Sequence, residues 1–178
     1  LALISSGAST GVLSGTPSSA PGGYSFTVKA TDALGCAVSQ VYAMTVNCPT
    51  IQVAPASPLA AATQFEAYDV TLTASKGTAP YTWSIPTGTL PAGMALTGAS
   101  GSTVHISGTP TALPGAYLFT LRVRDASNCQ TDLPYMVTVN CPPVIITTSG
   151  VLTTSLGVPY LLNLTASGAN APYTWSLV

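Results

Sequence analysis

Four cysteines, one histidine and five acids are the side chains through which this sequence could do chemistry. The cysteines form two pairs related by one shift, since Cys36 to Cys129 and Cys48 to Cys141 are each 93 positions apart. Thiols at repeat spacing, in a chain with almost no charge and many hydroxyls, read as disulfides of an oxidising, extracellular setting. Zinc is disfavoured, because no pair has the close spacing of metal ligands. His105 stands where the other copy of the repeat has Val12, so no general base is built into the unit. Gly7-Ala8-Ser9-Thr10-Gly11 fits the hydrolase elbow Gly-x-Ser-x-Gly, but that motif needs a strand before it and a helix after it, and here it falls in a turn between short strands. The acids Asp32, Glu66, Asp69, Asp125 and Asp132 form no readable dyad. No catalytic residue, metal or cofactor is expected.

Asp32 and Asp125 pose the sharper question, because they end equivalent strands just before cysteine turns. A junction calcium ion would need about six to eight oxygens, and one acid per junction is few. An Asx turn that satisfies backbone N–H groups is the favoured reading. Trp83 and Trp175 could stack on sugar, but Trp83 alternates in phase with Tyr81 and Ile85, which places it in a core. Lys29 is replaced by Arg122 in the next copy, against a repeated lysine isopeptide bond. Asn163-Leu164-Thr165 is a glycosylation sequon on an outward position. The Ser- and Thr-rich outer faces could carry O-linked sugar.

The elements that hold these residues repeat as well. Ser14 to Pro49 and Ser107 to Pro142 are two copies of one design, with Gly-Thr-Pro, the cysteine turn and Asn-Cys-Pro each recurring after 93 positions. Tyr117, Phe119, Leu121 and Val123 alternate with Leu118, Thr120, Arg122 and Arg124, and Tyr24, Phe26 and Val28 do the same with Ser25, Thr27 and Lys29, which is the period of a half-buried strand. A second long strand follows each turn, with Tyr135, Val137 and Val139 on one face. In the complete copy, residues 49–141, seven strands are expected: 51–54, 66–75, 80–85, 94–97, 103–107, 115–125 and 131–140. Trp83, Tyr68, Leu72, Tyr117, Phe119, Leu121, Tyr135 and Val137 are its expected core. Short strands between Gly and Pro turns, with a Trp on the third, describe an all-β, two-sheet immunoglobulin-like sandwich.

Residues 1–48 carry only the later strands of such a unit, and residues 142–178 only the earlier ones. The expected organisation is thus tandem seven-stranded sandwiches, one complete and two complementary halves, within a mature segment or fragment. An open half would expose Tyr24, Phe26 and Val28 at one end and Leu162, Leu164 and Trp175 at the other, each forgoing about 1.5–3 kcal/mol of burial. Strands from a neighbouring chain would cover both.

Strand direction also sorts the cysteines. Cys129 and Cys141 lie at opposite ends of one strand, about 40 Å apart at strand rise, far beyond the ~4.4–6.8 Å between Cα atoms that a disulfide spans. With seven alternating strands, Cys48 at the entry and Cys129 in the last turn share a pole, so these two are expected to bond. Cys36 then needs a partner upstream and Cys141 one downstream, either each other on neighbouring chains or cysteines of further repeats.

Charge excludes other classes. Four basic and five acidic residues are too few to hold a phosphate backbone, so nucleic acid is not an expected partner. No apolar run approaches the ~20 residues that span a bilayer.

The motifs Leu90-Pro91-Ala92-Gly93-Met94, Ser107-Gly108-Thr109-Pro110, Ala79-Pro80-Tyr81-Thr82-Trp83 and Asn140-Cys141-Pro142 resemble the Putative Ig repeats of large bacterial surface proteins. The resemblance implies an extracellular sandwich serving as spacer, stalk or adhesive module, with no catalytic residues to carry over. Two functions stay open. One is a structural fibre, sheath or stalk held by shared strands and disulfides, with its own copies as partners. The other is an adhesive or carbohydrate-binding module whose loops 76–79 and 97–102 meet a glycan or host surface, and a spacer appended to an enzyme comes third.

Overall fold

Alternating side chains become strands throughout the computed structural model, which describes residues 1–5, 7, 9–150, 152–169 and 171–178. In the first stretch β1 (Ala2–Ser5) pairs antiparallel with β2 (Gly11–Ser14), and β3 (Gly22–Thr31) with β4 (Ala37–Val46). The middle stretch holds β5 (Gln52–Ala54), β6 (Ala62–Thr63), β7 (Tyr68–Ser75), β8 (Thr82–Gly88), β9 (Met94–Thr97), β10 (Thr103–Gly108), β11 (Gly115–Arg124) and β12 (Gln130–Asn140). These make two four-stranded sheets, ordered β5-β7-β10-β9 and β6-β12-β11-β8. Beyond them β13 (Ile145–Ile146) pairs with β14 (Ala166–Ser167).

Both sheets of the middle stretch contribute to one core. Ile51, Leu72, Val104 and Ile106 come from one side, and Phe119, Leu121, Val123, Tyr135, Val137 and Val139 from the other, all buried. Trp83 is buried among them and its indole N–H donates to the Gly101 carbonyl at 3.1 Å. Tyr117, expected in the core, packs against it half-buried, with its hydroxyl donating to Leu113 O at 2.8 Å. Its position near the start of β11 puts its polar tip within reach of the preceding turn.

The middle stretch has eight strands rather than the expected seven. The extra one, β6, is two residues long and runs parallel to the end of β12, with Ala62 opposite Val139. Between β5 and β6 the chain changes sheets through Pro55 and Pro58, which cannot donate to a ladder. Side chains tie this crossover down: Tyr135 donates to Pro55 O at 2.8 Å, Tyr68 to Ala60 O at 2.9 Å, and the Met136 N–H to Ser57 Oγ at 3.1 Å. Burial raises the pKa of both tyrosines, so their hydroxyls stay protonated as donors.

The Gly-Thr-Pro motif has a close-packing reason. Gly108 opposes Met94 in the β9–β10 register at a φ of 136°, and a Cβ there would collide with the Gly93 carbonyl oxygen. The Pro-Ala-Gly and Gly-Thr-Pro motifs therefore touch, and the Thr111 N–H closes the contact on Ala92 O at 2.8 Å.

The 93-residue shift holds in three dimensions. Leu3 opposes Leu13 as Leu96 opposes Ile106, and Gly22 opposes Val46 as Gly115 opposes Val139. Phe26 stacks on Tyr42 with centroids 5.8 Å apart, and Phe119 on Tyr135 at 6.0 Å. In the last stretch Ile145 opposes Ser167 as Gln52 opposes Ser75. Tyr160, Leu162, Leu164 and Ala166 repeat the alternation of Tyr68 to Ala74, yet the strand there is only the two residues of β14, and among the described residues no counterpart of β10 flanks it.

Candidate functional site: cysteine turns and open faces

Each cysteine turn is built on an aspartate. Asp125 Oδ1 accepts the N–H groups of Ser127 and Cys129, both at 2.9 Å, while Oδ2 accepts that of Thr78 at 2.9 Å. Asp32 Oδ1 accepts those of Leu34 at 2.9 Å and Cys36 at 2.8 Å. The backbone closes identically, Asp125 N–H to Cys129 O at 2.8 Å and Asp32 N–H to Cys36 O at 2.9 Å. These carboxylate oxygens are occupied by backbone donors, the Asx-turn arrangement, and among the described residues no cluster of three metal-binding side chains occurs. Asp125 is buried whereas Asp32 is exposed. Replacing Asp125 with Ala leaves up to three donors unpaired, at about 1–3 kcal/mol for a buried one. The Asp125→Ala chain is expected to lose about 3 kcal/mol in a denaturant titration followed by Trp83 emission, and Asp32→Ala far less.

The two turns differ in what covers them. Cys129 is buried and bonded to Cys48, with Cα atoms 5.5 Å apart across a sequence separation of 81. Cys36 and Cys141 are free thiols, both exposed.

The same contrast runs through the apolar faces. Tyr42 is 49% exposed where Tyr135 is 2%, and Leu164 is 48% exposed where Leu72 is fully buried. Trp175 is 46% exposed against 5% for Trp83. Tyr24 is exposed too, while Phe26 and Val28 are half-buried because they face Leu3 and Leu13 across an open groove of about 430 Å³. The groove continues past Ile4 and Tyr42 into a second hollow of about 500 Å³. Leu162 is half-buried. In the middle stretch β7 and β8 flank the equivalent hairpins: β10 pairs with β7 and β11 with β8. Nothing occupies those edges of β2 and β3 among the described residues.

Other candidates fall apart or acquire ordinary roles. Of the Gly7 to Gly11 motif, Ala8 lies outside the described residues, and Gly11 begins a strand rather than a helix. His105 Nδ1 contacts Asp69 Oδ1 at 2.9 Å and Thr71 Oγ1 at 3.3 Å on the exposed face of β7 and β10. The sequence could not show this pair, because only the β7–β10 register, with His105 opposite Thr71, brings residues 36 apart together. Hydroxyl and carboxylate share one ring nitrogen, whereas a catalytic triad places them on opposite nitrogens of the ring. Arg122 and Asp132 form a bidentate pair at 2.7 Å on opposing strand positions, and this hydrogen bonding holds the Asp132 carboxyl below the usual carboxylate range. The loop after Thr97 folds back on β8, with the Trp83 N–H donating to Ala99 O at 3.2 Å. Asn163 is exposed, and Thr165 of the sequon bonds Thr147 through their hydroxyls at 2.6 Å. Gln64, missed in the sequence, is buried with its N–H on Asn140 O at 3.0 Å.

Comparison with known proteins follows the same lines. The family model described as "Putative Ig domain" matches twice, over residues 3–47 and 49–140. No curated protein matches the chain. Among solved structures, an endo-fucoidan hydrolase of glycoside hydrolase family 107 is 25% identical with a TM-score of 0.42, over 79% of this chain and 22% of its own. This chain thus spans about a fifth of that hydrolase. A PKD domain from the KIAA 1837 protein is 28% identical, TM-score 0.34, covering 56% of this chain and 90% of its own. Domains 4 and 5 of the S-layer protein SbsC are 12% identical, TM-score 0.33, covering 75% and 84%. At these TM-scores none of the likenesses bears on function.

Proposed function

The chain belongs to the Putative Ig domain family, and from that premise we propose that it is a non-catalytic structural element of an extracellular fibre, sheath or stalk. Residues 142–178 of one copy complete the unit formed by residues 1–48 of the next. The observation that carries this reading is the pairing of open and closed faces. Positions that are closed in the middle stretch, Tyr135, Leu72 and Trp83, are open at their repeat equivalents Tyr42, Leu164 and Trp175. The open positions divide into two sets that in the middle stretch lie against each other: β9–β10 and β11–β12 on one side, β5, β7 and β8 on the other. The last stretch of a second copy fits that open face, since it already pairs Ile145 with Ser167 in the register of β5 with β7.

Strand addition of this kind uses two different surfaces and so propagates as an open fibre. Cys48 and Cys129 share one pole, and Cys141 lies one strand length away. Strands of β12's length rise roughly 37 Å, so two units give an axial repeat of roughly 75 Å per chain. Electron microscopy of the purified chain, with sedimentation across a dilution series, tests this. Uniform filaments with that repeat are expected. Monomeric rods that retain glycan or host-protein binding would overturn the reading in favour of an adhesive module.

A further inference from the structure

We propose that Cys141 of one copy forms a disulfide with Cys36 of the next, so that an unbroken covalent thread runs through the assembly. The inference rests on the head-to-tail reading above. Its warrant is the Cys48–Cys129 bond, because both free cysteines are the repeat equivalents of the bonded ones. Cys141 is 93 positions after Cys48 and sits in the same Asn-Cys-Pro motif, and Cys36 is 93 positions before Cys129. Cys36 is also presented as Cys129 is. Its N–H lies on Asp32 Oδ1 at 2.8 Å against 2.9 Å for Cys129 on Asp125, and Gly35 and Asn128 take the same left-handed backbone, φ 88° and 64°.

The segment after Cys141 leaves its cysteine as the segment after Cys48 does. Ile145 pairs four residues on from Cys141, as Gln52 does from Cys48, and both meet the serine of the returning strand, Ser167 and Ser75. When that segment completes the next copy's first unit, Cys141 is carried to the pole where Cys36 waits. The Cα separation there should match the 5.5 Å of Cys48 and Cys129, within the range a disulfide spans.

Bond formation is a two-electron oxidation by thiol–disulfide exchange with a small disulfide such as oxidised glutathione. A deprotonated cysteine of the pair attacks the small disulfide and releases one thiol. The second cysteine, deprotonated, then attacks the mixed disulfide, forming Sγ–Sγ and releasing the other thiol. The two protons lost from Cys36 and Cys141 end on the two released thiols.

With both kinds of bond in place, the covalent path runs from Cys36 along β4 to Cys48, across to Cys129, along β12 to Cys141, and on to the next Cys36. Every unit contributes its last strand to this thread, and the other strands hang outside it.

Fibres oxidised with glutathione disulfide, then dissolved in SDS without reductant, test the proposal alongside peptide mapping. A ladder of oligomers and a Cys36–Cys141 cross-linked peptide are expected. The ladder should collapse to monomer in Cys36→Ser, whose Cys48–Cys129 bond remains. Fibres whose Cys36 and Cys141 stay free under oxidant would overturn the covalent thread and leave the strand-sharing reading standing. Absence of fibres would sink both, and a Cys36–Cys36 or Cys141–Cys141 link would overturn the assigned polarity.

Discussion

Pulled from its two ends in a force spectrometer, the oxidised chain is expected to release almost no length when its middle unit unfolds. After reduction the same event should release roughly 290 Å. Tension enters this unit at Cys48 and leaves at Cys141. The Cys48–Cys129 bond, spanning a sequence separation of 81, diverts that tension directly to the start of β12. Only residues 129–141 then lie in the load path, and a strand is already close to full extension. Without the bond, the 81 residues it spans enter the path at up to ~3.6 Å each, which gives the expected length. The Cys48→Ser variant should give the long step under both redox conditions. A long step in the oxidised native chain would show that the bond does not shield the unit. The same closure stabilises the unit by about 4 kcal/mol in the chain-entropy model.

The second large effect separates two tryptophans that occupy one place in the repeat. Trp83→Ala removes a buried ring from the middle core and is expected to cost about 3–5 kcal/mol of folding stability. Trp175→Ala removes a ring that is 46% exposed in the single chain and lies outside the middle core, so the unfolding midpoint of the middle unit should not move. Its cost is expected at assembly. About half of the ring is left to be covered, so about 1.5–2.5 kcal/mol is withdrawn from association, which corresponds to roughly 10- to 60-fold in the concentration at which fibres form. Sedimentation across a dilution series reads that shift, and a denaturant titration followed by far-ultraviolet circular dichroism reads the other, since Trp83→Ala carries no tryptophan in the middle unit. A Trp175→Ala chain that assembles at the native concentration would remove the second copy's last stretch from the core of its neighbour.

Both expectations draw on features that differ in how they were written into the chain. Strand alternation, the 93-residue repeat and the order of the long strands are one-dimensional signals. Alternation of Tyr117 to Val123 needs no partner to be read, and the antiparallel β11 and β12 follow from the turn between them. Counting strand directions placed Cys48 and Cys129 at one pole, where the structure joins them. The aspartate before each cysteine was readable as a turn, because an Asx turn is made within a few residues.

Features made between distant residues were not readable. The two-residue β6 carries no periodicity, and it exists only because the end of β12 offers it a parallel edge. The Asp69–His105 pair depends on the β7–β10 register, and the third donor to Asp125, from Thr78, arrives across 47 positions. Burial of Gln64 and the half-exposure of Tyr117 depend on which neighbour covers them. The residue types and spacings thus determined which faces are apolar and which cysteines repeat. Only the tertiary structure decided which of those faces are closed, because closure depends on a second sheet arriving, and an isolated sequence motif is the same whether its partner is present or not.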